Sequence, residues 1–371
     1  MRKIPLLITS LALLVAWLAA GPGGARAAAP PGFIGISPQN TLEAQDFELM
    51  QEAGIKRIRL PLALGGVENT FPPSPDWSGF DYNVALAAEH GMSIFPFVYG
   101  SPSWVASNWK ALPVWTEFQR RAWADFLREA VGRYGPNGSF WRENPDLPPH
   151  PIRDWEIWNE ENIIAFVTRP DPKRYTTLLK IAGRVLHSAD HGAKVILGGF
   201  FGRPLNKVPP NMKSEQFLDD VYRDPSVKRY FDGIGLHPYV AAAGQMRAEI
   251  GKLRRVMRAH HDGATPIYIT ELGWGSDSGP TRWEVGMRGQ ASQLNQSLSL
   301  LLRNRRSWRI AWVDWFTWLD QPSGCQFCNS SGLLTRDRQA KPAWYRFNAW
   351  TNGDPFTVPR LKNPLSLPPV G

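Results

Sequence analysis

The feature that most constrains the fold is a repeat of pattern rather than of residues. Short apolar segments at 33–36, 57–60, 93–98, 153–160, 194–199, 233–237, 266–271 and 310–316 punctuate the chain. Each runs into a loop rich in Gly, Pro or Trp. Helical spacing follows, first after Asn40-Thr41, then near 82–90, 115–133, 172–189, 215–222, 246–261 and 290–303, with a short last stretch at 344–350. Strands this short and apolar, separated by full helices, are parallel strands covered on both faces. Eight such units close into a barrel. The expected class is therefore α/β, a single-domain (β/α)8 TIM barrel over residues 32–350. An open doubly wound sheet would carry a Gly-rich phosphate loop after its first strand, and none follows 33–36. The Pro/Asn-rich stretch 135–151 reads as a surface loop.

The two ends read differently from the body. Arg2 and Lys3 precede an apolar run at 4–20, and Ala25-Arg26-Ala27 has the small-x-small form a signal peptidase accepts. Residues 1–27 are expected to be a signal peptide; the competing arrangement is a retained membrane anchor. The protein is thus expected to be secreted or associated with the cell envelope, with no stable membrane insertion after cleavage. Residues 351–371, rich in Pro, are expected to lie along the surface or to lack fixed structure. Two cysteines occur, Cys325 and Cys328. In an exported chain without a second pair they are expected to form a disulfide that tightens one loop. The formal net charge of +9 falls by three without Arg2, Lys3 and Arg26. There is no basic block with a recognition fold around it, so nucleic acid is not an expected partner. A monomer is expected.

In a barrel of this kind the reactive groups sit at the C-terminal ends of the strands. Arg59, Asn159, Glu160, His237, Tyr239 and Glu271 fall there, with Trp312, Trp315 and Trp318 among the aromatics. The fourth segment, Arg153-Asp154-Trp155-Glu156-Ile157-Trp158-Asn159-Glu160, and the seventh, Pro266-Ile267-Tyr268-Ile269-Thr270-Glu271, both end on a glutamate. Cleavage of a glycosidic bond needs two carboxyl groups: one protonates the leaving oxygen, the other attacks the sugar carbon or activates water. The acid must keep its proton near neutral pH, which burial or a like charge achieves; Glu161 and Glu271 are candidate neighbours for Glu160. Arg59 is placed to keep Glu271 ionised, and Asn159 offers an amide to a hydroxyl.

Trp-Asn-Glu closing the fourth strand, with a glutamate closing the seventh, resembles the clan of retaining (β/α)8 glycoside hydrolases. That clan includes cellulase-like, beta-xylosidase-like and exopolysaccharide-hydrolase-like families. The resemblance implies Glu160 as acid/base, Glu271 as nucleophile, Asn159 on the sugar 2-hydroxyl and Arg59 bracing the nucleophile. It also implies that His237 and Tyr239 support the site and that Trp312 or Trp315 floors the first subsite. The segment from Gly332-Leu333-Leu334 to Lys341-Pro342-Ala343-Trp344-Tyr345 is similar to the closing segment of the xylosidase-like and exopolysaccharide-hydrolase branch. Many relatives have Pro after the acid/base; this chain has Glu161.

The implied activity is double-displacement hydrolysis of a poly- or oligosaccharide. A transglycosylase or a non-catalytic carbohydrate-binding protein on the same barrel are the alternatives. Seventeen tryptophans, many near strand-end loops, offer flat faces to sugar rings, and their spread over several loops favours endo action. No cofactor is expected. No metal is expected either: His187 and His191 have ligand-like spacing but lack the HExxH glutamate.

Overall fold

A computed structural model describes residues 29–202 and 209–361. The proposed signal peptide and residues 362–371 of the tail lie outside them. Eight parallel strands close into one barrel in the order of the sequence. They are β1 (Ile34–Ile36), β2 (Arg57–Ala63), β3 (Ser93–Tyr99), β4 (Asp154–Asn159), β5 (Lys194–Phe201), β6 (Gly233–His237), β7 (Ile267–Leu272) and β8 (Ile310–Trp315). The expected barrel is the observed one. Among the described residues, no helix is long and apolar enough to cross a membrane.

The helices form because each buries one stripe against the outside of the barrel. Pro172–Ala189 buries Tyr175, Leu178, Leu179, Ala182 and Leu186, and Asp171 caps its start by accepting from the Arg174 N–H. Glu117–Tyr134 starts on a Thr116 cap with Gln119 reaching back, a reciprocal capping box. The stretch 135–151 is more than a surface loop. It contains a helix, Ser139–Glu143, that buries Phe140 and Trp141. Trp141 donates to the Tyr134 carbonyl, and these two aromatics account for the turn of helix in a Pro-rich connection. The tail also packs in part: the Trp344 indole donates to the Pro355 carbonyl and Val358 is buried.

The barrel interior holds a charged layer above an aromatic one. Period-two alternation turns Arg57 and Arg59 inward from β2. Toward the strand starts, Arg57 bonds Asp314 at 2.8 and 3.1 Å and its guanidinium lies 4.0 Å over the Trp312 ring. Tyr268 and Phe95 close that layer against Trp312.

Candidate active site

Arg59, fully buried, ties the upper layer together. Its Nε donates to Glu156 Oε2 at 2.5 Å, Nη1 to Glu271 Oε1 at 2.7 Å and to Ser37 Oγ at 3.3 Å, and Nη2 to Asn159 Oδ1 at 2.6 Å. Its flat face covers Phe97 at 4.1 Å. One guanidinium thereby fixes groups from β4 and β7 and the residue after β1, using the planar fork that Lys lacks.

Local backbone irregularity brings the last residue of β4 and the one after it into the site. Regular alternation would send one of Asn159 and Glu160 away from the interior. Trp158 and Glu160 instead have φ of 75° and 46°, in the left-handed region uncommon for residues other than Gly. Asn159 reaches Arg59, while Glu160 Oε1 lies 2.8 Å from His237 Nδ1. At β7 the register against β8 shifts between Ile269 and Leu272, and Thr270 and Glu271 both face inward. Glu271 accepts from Arg59 and, through Oε2, from the Tyr239 hydroxyl at 2.7 Å.

His237 has no exposure. Its Nε2 is 3.0 Å from Thr270 Oγ1, and that hydroxyl donates to Glu156 Oε1 at 2.8 Å. Glycine makes room for this arrangement. A Cβ on Gly199 would lie 2.0 Å from His237 Nε2, and one on Gly235 would lie 2.8 Å from Glu156 Oε1.

The two glutamates have unlike surroundings. Burial, then the Glu271 charge, pushes the Glu160 carboxyl well above its ordinary range, against the opposing pull of Arg59. Burial raises Glu271 too, but Arg59 and the Tyr239 hydroxyl pull it back. Burial pushes Glu156 up to about 7 despite Arg59. Burial and the Arg59 charge hold His237 well below its usual value, so the ring is neutral. Glu160, His237 and Glu271 each present an atom within 4.8 Å of the others, a spacing that a cation could bridge. Those atoms already have partners, and Arg59 brings a positive charge into contact with Glu271.

The structure brings together Arg59, Asn159, Glu160, His237, Tyr239 and Glu271. Trp312 and Trp315 are placed elsewhere. Trp312 faces inward one layer too low, beneath Arg57. Alternation turns Trp315 outward, where its buried ring lies against Trp274 and its indole donates to the Ser331 carbonyl at 3.3 Å. Phe316, just beyond β8, packs on Tyr239 with ring centroids 6.4 Å apart. Neither Phe316 nor Thr270 was indicated by strand-end position alone. Asp314 and Asp320 are committed to Arg57 and Lys341. His187 pairs with Asp232, and His260 is bonded to Asp219 and stacked on Tyr222. Cys325 and Cys328 form the expected disulfide.

No protein-family model matches the chain, and no curated protein matches it. Solved structures share its fold. A family 39 glycoside hydrolase from the gut symbiont Bacteroides cellulosilyticus WH2 superimposes with a TM-score of 0.64 at 21% identity, covering 86% of this chain and 64% of that one. A monomeric beta-xylosidase from Caulobacter crescentus CB15 gives 0.60 at 17%, covering 87% and 68%. A glucosidase from Croceicoccus marinus gives 0.63 at 14%, covering 88% and 68%. The chain thus spans just under two thirds of the Bacteroides protein. At these identities the likeness is one of fold, and the buried Glu160–His237–Glu271 cluster at the strand ends is consistent with a retaining glycosidase-type site.

Proposed function

We propose that this protein is a retaining glycoside hydrolase acting on a poly- or oligosaccharide, with Glu160 as acid/base and Glu271 as nucleophile. The observation that carries the reading is the unequal partnering of two buried carboxyls at the ends of β4 and β7. Burial raises Glu271, but a guanidinium and a phenol both donate to it and pull it back toward the carboxylate form. Burial, then the Glu271 charge, raises Glu160 well above the usual carboxyl range beside a neutral imidazole, which favours its acid form. One oxygen of each lies within 4.8 Å of the other, a close approach that suits the short carboxyl separation of a retaining pair.

In the first half-reaction Glu160 gives its proton to the glycosidic oxygen while a Glu271 oxygen bonds the anomeric carbon. In the second, a water displaces Glu271 and loses its proton to Glu160, which restores both groups. Asn159 spends its carbonyl on Arg59, leaving its NH2 to donate to a sugar hydroxyl. Phe97 and Tyr99, half-buried at the end of β3, continue through ring contacts of 5.1 and 6.0 Å to Trp109, which is 45% exposed. These faces suit the apolar sides of successive sugar rings and support a substrate of more than one unit. The signal peptide expected at 1–27 and the disulfide support action outside the reducing cytosol.

Azide rescue tests the roles. The Glu271→Ala protein is expected to lose several orders of magnitude in rate on every substrate, and azide should yield a glycosyl azide of inverted configuration. The Glu160→Ala protein should release a good leaving group in an initial burst, with azide giving retained product. Proton NMR of the two azides decides. Swapped configurations would reverse the roles, and full activity in either variant would remove that carboxyl from catalysis.

A further inference from the structure

Between Glu160 and Arg59 runs a second, wholly buried route through side chains that the reaction itself does not touch. Glu160 Oε1 is 2.8 Å from His237 Nδ1, His237 Nε2 is 3.0 Å from Thr270 Oγ1, Thr270 Oγ1 is 2.8 Å from Glu156 Oε1, and Glu156 Oε2 receives Arg59 Nε at 2.5 Å. We propose that Thr270 is a positioning residue that locks His237 as its Nε2–H tautomer, so that Nδ1 presents a lone pair to Glu160 and holds that carboxyl in its acid form. The proposal rests on the functional reading above for its kinetic consequence only.

The argument counts protons. Thr270 has one hydroxyl hydrogen. At a pH above about 7, where Glu156 is ionised, its Oε2 accepts from Arg59 and its Oε1 from the Thr270 hydroxyl, so that hydrogen points to Glu156. The remaining Thr270 lone pair can only accept, which places the imidazole proton on Nε2. A neutral ring with its proton on Nε2 has a bare Nδ1. A short contact between a bare nitrogen and a carboxyl oxygen is favourable only when the carboxyl carries the proton. His237 therefore never changes charge: Glu160 gives its proton to the leaving oxygen and regains one from water, while the Nε2–H stays on Thr270.

Other charges act on Glu160 as well. Glu271 on β7, Glu161 just after β4 and Glu156 on β4 favour its acid form, and Arg59 on β2 opposes it. Tyr239 after β6 is bonded to Glu271, Asp314 on β8 bears on Glu271 and Arg59, and β5 contributes the uncharged Gly199. Thr270 differs from all of these in acting through the direction of one hydrogen bond.

The test reads the tautomer directly. Two-bond proton–nitrogen correlations of the intact protein labelled with nitrogen-15 histidine should give the Nε2–H pattern for His237, assigned by its loss in His237→Gln. Thr270→Ser keeps the hydroxyl and should keep the pattern. Thr270→Val keeps the shape without the hydroxyl and should move the ring toward Nδ1–H. That proton would then stabilise ionised Glu160, and the alkaline limb of kcat/KM on a poor-leaving-group glycoside should fall by about one pH unit. An Nδ1–H or doubly protonated His237 in the wild-type protein overturns the proposal, as does an unchanged ring in Thr270→Val. If Thr270→Val does not fold, the wild-type pattern alone decides. If no glycoside is turned over, the functional reading fails while the tautomer result still stands or falls by itself.

Discussion

The two arginines of β2 sit two residues apart on one face of one strand, yet they serve opposite ends of the barrel. Arg57 is bonded to Asp314 and to the Gly32 carbonyl at 2.6 Å, and rests on an aromatic layer of Trp312, Tyr268 and Phe95. Every partner it has is internal. Arg59 has the same chemistry, but its partners are Glu156, Asn159 and Glu271, of which the last two face the strand ends. The lower ion pair joins β2 to β8 and closes the barrel. The upper one spends similar desolvation energy on aiming groups at a ligand. What separates structure from site in this fold is therefore the direction in which the partners of a buried charge point.

The largest effects should come from breaking each arginine in turn. Arg59→Met strands Glu156 and Glu271 in a buried site, and Arg57→Met strands Asp314. Losing one partner of a buried pair costs ~3–5 kcal/mol, so urea unfolding should show comparable losses for the two. Turnover should separate them. Measured where both proteins remain folded, Arg59→Met is expected to be inactive on glycosides and Arg57→Met to retain most of kcat. Replacing the lower pair together, Arg57→Met with Asp314→Leu, should restore most of the lost stability, because removing both charges leaves neither unpaired. Equal catalytic loss in the two single variants would break the comparison.

The lower end was the less legible of the two in the sequence. The apolar segments with intervening helices gave the barrel, since that pattern has few other solutions, and strand-end position collected Arg59, Asn159, Glu160, His237, Tyr239 and Glu271. Two things escaped it. Alternation counts inward residues but not layers, so Trp312 and Trp315 looked equivalent to residues at the mouth. Alternation also fails where the backbone leaves regular β geometry. The left-handed Trp158 and Glu160 and the register shift in β7 bring consecutive side chains inward. Thr270, beside the more conspicuous Glu271, is legible only once that shift is known. The small helix at 139–143 was hidden by the prolines around it.

A smaller effect concerns pH. Glu161, next to the proposed acid/base, is buried with neither carboxyl oxygen in a well-formed hydrogen bond among the described residues. The nearby Tyr175 hydroxyl already donates to the Ile157 carbonyl and accepts from the Gly198 N–H. Burial raises Glu161 well above the usual range, as it does Glu160 and, to about 7, Glu156. The folded state then binds protons that the unfolded chain has released. Stability should fall as pH rises from the ordinary glutamate value of about 4.3 through the raised folded-state values. The neutral Glu161→Gln protein should match the wild type near pH 4 and become the more stable of the two as pH rises. Thermal unfolding between pH 4 and 9 checks this; a parallel pair of curves would mean that Glu161 has an unrecognised partner.

The smallest effect is expected at the loop that roofs the upper end. The lower end is held by an ion pair over packed rings, whereas the roof uses a covalent link, Cys325–Cys328, around a buried Phe327. Phe327 packs on Tyr239 and on Trp283, each with ring centroids 5.1 Å apart, and the Tyr239 hydroxyl holds Glu271. The Cys328 carbonyl also accepts from Gln39 at 3.2 Å, and Ser331 donates to the Phe327 carbonyl at 2.8 Å. The ring closed by the disulfide is short, so it removes little freedom from the unfolded chain, about 2 kcal/mol or less. With Phe327 still fixed by packing and by these hydrogen bonds, the Cys325→Ser/Cys328→Ser protein should lose only a few degrees in melting temperature and less than tenfold in kcat/KM. A collapse of activity without a matching loss of stability would show that the link, rather than the rings, sets the position of Tyr239, and the two ends of the barrel would then differ in how they are held as well as in where their charges point.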